Sequence, residues 1–117
     1  IIVLTASCMS EFTGFKRNYV GTNTPHEITG RYELLDGTQT KDIGMKGGET
    51  ITFTYESAVE KGSLKIEFKD PDGKLIVEFN PGTSGTETIT AGKSGNHKLI
   101  IKGDDTQGSF DISWEIK

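Results

Sequence analysis

The stretch that decides the fold is Phe110-Asp111-Ile112-Ser113-Trp114-Glu115-Ile116-Lys117, in which apolar and polar residues alternate strictly. Successive side chains of a β-strand point to opposite faces of the sheet, so this spacing places four apolar side chains on one face. A strand of this kind buries one face and leaves the other in water. The C-terminal stretch therefore predicts an antiparallel strand at the edge of a hydrophobic core.

The same alternation recurs along the chain, and turn signals separate the segments. The further core-facing sets are Ile28, Tyr32 and Leu34; Ile51, Phe53 and Tyr55; Leu64, Ile66 and Phe68; Leu75, Val77 and Phe79; and Leu99 with Ile101. Turns are predicted at Asp36-Gly37, Asp70-Pro71-Asp72-Gly73, Asn80-Pro81-Gly82, 92–96 and 103–108, because Gly, Pro and Asp favour turn geometry. About eight short strands at regular spacing predict an all-β, antiparallel two-sheet sandwich, jelly-roll-like, over residues 26–117.

Composition and charge exclude several classes of protein. The chain has 13 Lys and Arg against 17 Asp and Glu, a net charge of −4, which argues against a nucleic-acid partner. A single Cys excludes an internal disulfide framework. The residues before 26 include Phe12, Phe15 and Tyr19, which are candidates to cover the outward-facing Ile76 and Ile100 as an extra strand.

The amino terminus reads Ile1-Ile2-Val3-Leu4-Thr5-Ala6-Ser7-Cys8, an apolar run followed by small residues and the Cys. It resembles a bacterial lipoprotein of the Gram-positive type, with the lipobox ending at Cys8. The resemblance implies that 1–7 is a residual signal-peptide segment, that Cys8 carries the lipid, and that 8–25 is a tether. It also implies a lipid-anchored protein on the extracellular face of the cell membrane. The alternative is that 1–4 is an edge strand and Cys8 a small buried residue.

Two elements of the domain carry a second resemblance. Ser94-Gly95-Asn96-His97 followed by an apolar strand and Gly103, and Gly108-Ser109-Phe110-Asp111-Ile112, are similar to elements of the bacterial pre-peptidase C-terminal domain. The resemblance runs from about Glu49 to Lys117. It implies a secreted, non-catalytic accessory sandwich associated with carbohydrate or protein targets, with no catalytic residues to transfer.

No motif for catalysis or metal binding is found. The two imidazoles, His26 and His97, are expected to be surface turn residues, although His97 shares the parity of Leu99. The turn at Asp70 lacks the Gly and Glu that a calcium loop requires. Asp104-Asp105 could supply carboxylates to a calcium ion, but a solvated hairpin tip is favoured. We therefore expect no enzyme activity, no metal and no cofactor.

Candidate ligand-binding residues are few. Tyr32, Tyr55 and Trp114 could stack on sugar rings, although their alternation favours the core for Tyr55 and Trp114. Two Thr rows, 50/52/54 and 86/88/90, could bind ordered water or sugar hydroxyls but are more typical of a solvated strand face.

The sequence therefore predicts a cell-envelope lipoprotein with a non-catalytic binding or structural sandwich. Its expected partners are the membrane, through the lipid anchor, and a cell-envelope protein or glycan of unknown identity. The alternative is a secreted accessory carbohydrate-binding module. A third class, a small enzyme whose site assembles from loops, would need a cluster of His or carboxylate side chains.

Overall fold

A computed structural model describes residues 10–117, and these residues fold into antiparallel β-strands. The strands are β1 (Ser10–Arg17), β2 (Val20–Thr24), β3 (Glu27–Met45), β4 (Thr50–Lys69), β5 (Leu75–Phe79), β6 (Ser84–Thr90) and β7 (Gly95–Ile116). Within these residues no helix has the length and apolarity needed to cross a bilayer. The all-β prediction is confirmed.

Three long strands, β3, β4 and β7, each take part in both layers of a sandwich. Sheet I consists of β2, β3 (27–32), β7 (108–116), β4 (50–59) and β6, in that spatial order. Sheet II consists of β1, β3 (35–45), β7 (95–103), β4 (61–69) and β5. Each long strand thus passes from one layer into the other, and β3, β7 and β4 remain paired with one another in both layers.

This connectivity is that of a jelly roll. Without β1 and β2, each layer has four strand segments, and successive segments of the chain alternate between layers except at the β4–β5 hairpin, where both segments lie in sheet II. Strands β2 and β1 extend the β3 edge of sheet I and of sheet II respectively. The jelly-roll-like sandwich predicted from the alternation is therefore present, with two strands added at one edge.

The bends that divide the long strands correct the prediction of eight short ones. Register shifts interrupt the pairing after Tyr32 in β3 and after Val59 in β4. Gly62 has a φ of 71°, and an added Cβ would lie 2.2 Å from the carbonyl oxygen of Asp105. The turns predicted at Asp36-Gly37 and 103–108 are these mid-strand bulges rather than hairpins, because bulges use the same Gly and Asp residues as turns.

The core between the sheets is joined by aromatic contacts. The ring of Phe53 in sheet I lies 4.9 Å from Phe68 and 5.1 Å from Phe79 in sheet II, centroid to centroid. It also lies 5.9 Å from the ring of Trp114. Edge-on and tilted arrangements of this kind are the preferred geometry of aromatic pairs. The two layers are therefore held by one continuous core.

Most of the predicted core faces are confirmed, and the exceptions follow from the bends. Leu35 is buried in place of Leu34, because the bulge after Tyr32 shifts the parity by one residue. Leu75 is 46% exposed, since a register shift precedes its pairing with Lys69 at the end of the sheet. Phe79, at the other end of β5, is buried as predicted.

The segment before His26 belongs to the sandwich. Residues 10–17 and 20–24, within the segment predicted as a tether, form strands β1 and β2 on the β3 edge. They do not cover Ile76 or Ile100, because Ile76 lies in the edge strand β5 and Ile100 in the central strand β7. Residues 10–17 and 20–24 therefore add two strands to the domain predicted over residues 26–117. Cys8 and the predicted signal segment 1–7 lie outside the described residues.

Candidate functional site

The outer face of sheet I is hollowed across its five strands. One hollow of about 440 Å³ is lined by residues that include Thr22, Thr29, Arg31, Glu56 and Asp111. A second hollow of about 340 Å³ is lined by residues that include Thr54, Glu56, Thr86, Asp111 and Ser113. Glu56 and Asp111 line both hollows, so the two hollows adjoin each other across the face from β2 to β6. We call these two adjoining hollows the trough.

Threonine side chains make up much of the β6 side of this face. Thr50, Thr52 and Thr54 of β4 lie directly opposite Thr90, Thr88 and Thr86 of β6. Their hydroxyl oxygens are 3.4 Å apart at Thr50 and Thr90 and 3.3 Å apart at Thr52 and Thr88. The two predicted Thr rows thus form one array, in which cross-strand hydroxyl contacts fix the side-chain positions.

Two carboxylates occupy the middle of the trough. Glu56 of β4 and Asp111 of β7 are directly opposite each other in the strand pairing, and both are exposed. Cross-strand neighbours on one face have Cβ atoms about 4.5–5.5 Å apart, so two negative charges lie close together. Arg31, also exposed, lies near the β2 side of the trough. The trough therefore offers hydroxyls, two carboxylates and one guanidinium on rigid strands.

The three aromatic candidates are placed differently from one another. Trp114 and Tyr32 are both 3% exposed, which leaves neither ring face open to a sugar in this arrangement. Tyr55 is half-buried, and its ring stacks on Phe79 with centroids 4.7 Å apart. It lines the second hollow, and Gly85 opposite it leaves room for its ring, since an added Cβ would lie 2.7 Å from the Tyr55 hydroxyl.

The histidines correct the sequence-based expectation in one case. His26 is exposed, as predicted, but His97 is 1% exposed and its ring stacks on Phe68 with centroids 5.5 Å apart. Strand β7 begins at Gly95, so Gly95 does not form a turn that would expose the histidine. The alternation of the strand instead places the imidazole on the same, inward face as Leu99. His97 Nδ1 lies 3.2 Å from the carbonyl oxygen of Gly95, and Nε2 is buried without a hydrogen-bond partner. His97 is therefore a core residue.

The acidic residues at the bend are also placed differently from the prediction. Asp104 and Asp105 lie within the continuous strand β7 rather than at a hairpin tip. Their carboxylates and that of Asp36 lie within 4.8 Å of one another, and all three residues are exposed. The Asp105 amide donates a hydrogen bond to Asp36 Oδ1 (3.2 Å), which ties β7 to β3 at the bend. This hydrogen bond stabilises the bulge, whereas the three like charges repel one another.

Burial and hydrogen bonding shift several pKa values outside the trough, including those of Tyr32, Tyr19 and Asp70. Burial raises the pKa of Tyr32, and the neighbouring Tyr19, which stacks on it at 6.0 Å, raises it further. Burial also raises the pKa of Tyr19. Hydrogen bonds from the backbone amides of Lys74 and Asp72 lower the pKa of the Asp70 carboxyl in the β4–β5 turn. These groups support the fold rather than a reaction.

The sequence alone does not identify the central residues of the trough. Glu56, Asp111 and Arg31 each lie on the solvent side of an alternating strand. Charged residues are usual at such positions, so their presence does not indicate a binding site. Their convergence depends on the pairing of β4 with β7 and of β7 with β3. The alternation does identify them as outward-facing residues, which is the one signal the sequence contains.

Comparisons with known proteins find distant structural similarities. No protein-family model matches the sequence, and a search of curated protein sequences finds no relative. Among solved structures, a family 29 carbohydrate-binding module has a TM-score of 0.48 at 10% identity, covering 90% of this chain and 77% of that one. A module of Cellvibrio mixtus lichenase 5A, in complex with cellotriose, has a TM-score of 0.43 at 14% identity, covering 92% and 96%. TmCBM61, in complex with β-1,4-galactotriose, has a TM-score of 0.44 at 12% identity, covering 85% and 69%. These identities are too low to relate residues of the trough to residues of those modules.

Proposed function

We propose that this protein is a non-catalytic binding domain whose trough holds a carbohydrate chain. The observation that carries the proposal is the trough itself, a depression across five strands in which side-chain hydroxyls surround a pair of carboxylates. Sugar hydroxyls both donate and accept hydrogen bonds, and carboxylates, threonines and arginine supply the matching acceptors and donors. The strands hold these groups in fixed positions, which lowers the entropy lost on binding.

The dimensions of the trough suit an extended chain rather than a single small molecule. Neighbouring strands lie about 4.7–4.9 Å apart, so five strands span roughly 19 Å across the face. The two hollows follow one another along this direction, since the same two carboxylates line both of them. A linear oligosaccharide lying across the strands would contact several strands at once.

The paired carboxylates favour binding over hydrolysis. Glycosidases use two carboxyl groups, one of which acts as a general acid in an apolar setting that keeps it protonated. Glu56 and Asp111 are both exposed, and their neighbours on the face are Thr and Ser. The site has the acceptors that recognition requires, and both carboxylates are open to water, unlike a general acid that burial keeps protonated.

Binding can be tested with variants that remove hydroxyls without changing shape. In Thr54→Val/Thr86→Val/Ser113→Ala, three hydroxyls of the trough are lost. Each hydrogen bond contributes about 1 kcal/mol, so affinity for a bound oligosaccharide should fall by roughly 100-fold. The control is Thr13→Val/Thr38→Val/Thr40→Val on the outer face of sheet II, which should bind as the parent does. Affinity is measured by calorimetry after a screen of soluble polysaccharides.

Two results would contradict the proposal. One is the absence of binding to any polysaccharide of the screen by the folded parent protein. The other is an equal loss of affinity in the trough variant and in the sheet II control. Release of reducing sugar from the bound polysaccharide would contradict the non-catalytic part alone.

We also propose that the protein is anchored by lipid at Cys8 on the outer face of the cell membrane. The support is the sequence Thr5-Ala6-Ser7-Cys8 after an apolar run. Strand β1 begins at Ser10, two positions after Cys8, so the anchor would hold the sandwich close to the bilayer. Cys8→Ala should move the protein from the membrane fraction to the medium, whereas Ser7→Gly should not. Membrane retention of Cys8→Ala, with no fatty acid on the parent by mass spectrometry, would contradict the anchor.

A further inference from the structure

The strand pairing brings four pairs of like charges directly opposite each other within residues 10–117. They are Lys65 with Lys102, Lys69 with Lys98, Glu67 with Glu78, and Glu56 with Asp111. Like charges in this position destabilise a sheet unless a counter-charge lies nearby. For each pair we therefore ask whether an oppositely charged side chain lies close enough to offset the repulsion.

Three of the four pairs have a counter-charge. Lys98 Nζ lies 2.6 Å from the Asp42 carboxylate, which compensates the pair formed with Lys69. Lys65 Nζ lies 3.7 Å from the Glu67 carboxylate, and this one contact serves both remaining pairs of sheet II. All three compensated pairs lie in sheet II, outside the trough.

The exception is the pair at the centre of the trough. Within the described part of the chain, neither Glu56 nor Asp111 takes part in an ion pair. Glu27 and Glu115 add two further carboxylates to the outer face of sheet I. The strand segments of sheet I contain one cationic side chain, Arg31. The outer face of sheet I therefore carries an excess of negative charge, with four carboxylates and one guanidinium.

We propose that the trough selects glycans that carry free amino groups over neutral and anionic glycans. This inference rests on the proposed function, since it names the class of carbohydrate that the same trough takes. An ammonium group between Glu56 and Asp111 would supply the ion-pair partner that Arg31, at the β2 side of the trough, does not supply. Hydroxyls of the Thr array would contact the uncharged part of the chain, and uronate or phosphate groups would be repelled.

An organic cation fits this pair better than a metal ion. Calcium takes six to eight oxygen ligands and usually several carboxylates. Within residues 10–117 the group of three carboxylates close enough to share a metal ion is Asp36, Asp104 and Asp105 at the bend, and no third acidic side chain joins the trough pair in this way. An ammonium group needs only two or three acceptors, which two carboxylates and a neighbouring hydroxyl supply.

The test compares oligosaccharides that differ only in their amino groups. The probes are a β-1,4-linked glucosamine hexamer, its N-acetylated counterpart and a hexameric oligouronate, with EDTA present. We expect the glucosamine hexamer to bind at least about tenfold more tightly than the acetylated one, with an affinity that falls as salt is added. The oligouronate should not bind.

The matched variants separate the trough from the general charge of the protein. Glu56→Gln/Asp111→Asn should lose the preference for the amino sugar and, at the same time, raise the unfolding midpoint, because the repulsion is relieved. Glu11→Gln/Glu78→Gln removes two negative charges from sheet II and should keep the preference. A gain in stability that accompanies a loss of selectivity is the outcome a purely structural role would not produce.

Failure of this inference can be distinguished from failure of the proposed function. Equal binding of the two hexamers, unchanged in Glu56→Gln/Asp111→Asn, would overturn the selectivity and leave carbohydrate binding in place. Equal binding of the glucosamine hexamer and a hexalysine peptide would overturn it as well, because charge alone would then explain the affinity. Absence of binding to any carbohydrate would overturn the proposed function itself.

Discussion

The two sheets of the sandwich treat polar groups in opposite ways. Sheet I has an interior of apolar side chains apart from Ser57, while its outer face carries an uncompensated pair of carboxylates. Sheet II pairs the charges on its outer face, but its interior contains Gln39, Lys41 and His97. A small hollow of about 180 Å³ on sheet II is lined by the ion-paired Asp42 and Lys98. The outer face of sheet I therefore keeps a repulsion between two carboxylates, whereas ion pairs compensate the like charges on the outer face of sheet II.

The polar interior of sheet II explains why β1 and β2 belong to the fold. The Gln39 side-chain amide donates to Ser10 Oγ (2.5 Å) and to the Glu11 carbonyl oxygen (3.2 Å) of β1. The Lys41 ammonium donates to Asn23 Oδ1 of β2. Buried polar groups are costly unless they are hydrogen-bonded, so these strands complete the interior. The hydrogen bonds of the sheet II interior therefore hold β1 and β2 on the sandwich, whereas the outer face of sheet I is available for a ligand.

The largest expected effect comes from breaking the core that the two sheets share. Phe53 is fully buried and contacts rings from both sheets, so Phe53→Ala should destabilise the protein by about 3–5 kcal/mol. Thr52→Ala, on the outer face of the same strand, should change the free energy of unfolding by at most about 0.5 kcal/mol. Urea unfolding followed by Trp114 fluorescence measures both. A mild Phe53→Ala would mean that the two layers are stabilised separately.

The sequence predicts the sheets better than it predicts their bends or their pairing. Alternation assigns Phe53, Phe68 and Ile112 to the core, because the period of two is a property of each strand alone. A bulge and a hairpin use the same residues, so Asp36-Gly37 could not be assigned to one or the other. The opposition of Glu56 and Asp111 depends on which strands pair and in which register, and local sequence does not contain that information.

The pH dependence of stability tests the buried hydroxyl of Tyr32, next to the bend, by comparing the parent with Tyr32→Phe. Burial raises the pKa of Tyr32, so the folded state keeps this proton at pH values where the unfolded chain has lost it. Stability should therefore be unaffected below pH 10 and fall as pH rises further, by up to about 1.4 kcal/mol per pH unit for one group. Tyr32→Phe should show a shallower decline. At pH 7 it should be at least as stable as the parent, because the Tyr32 hydroxyl is buried without a partner.

Urea unfolding at pH 7, 10 and 11 measures the Tyr32 effect. Equal losses of stability in Tyr32→Phe and in the parent between pH 10 and 11 would mean that other groups cause the alkaline decline. The stacked neighbour Tyr19, whose pKa burial also raises, would then be the next residue to replace.

The interior of sheet II offers a smaller effect of opposite sign. His97 stacks on Phe68 and has a buried Nε2 without a partner, so His97→Phe removes an unsatisfied polar atom while keeping a ring in the same place. We expect a gain of about 1 kcal/mol in the free energy of unfolding at pH 7. His26→Phe, at an exposed position, should change stability by no more than about 0.5 kcal/mol. A loss of stability in His97→Phe would show that Nε2 has a partner, such as a buried water.

The smallest effect tests the contrast between the two faces directly. Glu56→Gln removes one member of an uncompensated pair, whereas Lys98→Gln removes one member of a compensated pair and leaves Asp42 without its partner. Glu56→Gln should raise the free energy of unfolding, and Lys98→Gln should lower it, each by about 0.2–1 kcal/mol. In 1 M salt the Debye length falls to about 3 Å, so both differences should shrink. If Glu56→Gln lowers stability to the same extent as Lys98→Gln, the carboxylate pair is compensated by a contact of its own. The trough would then lose the charge imbalance that distinguishes it from the outer face of sheet II.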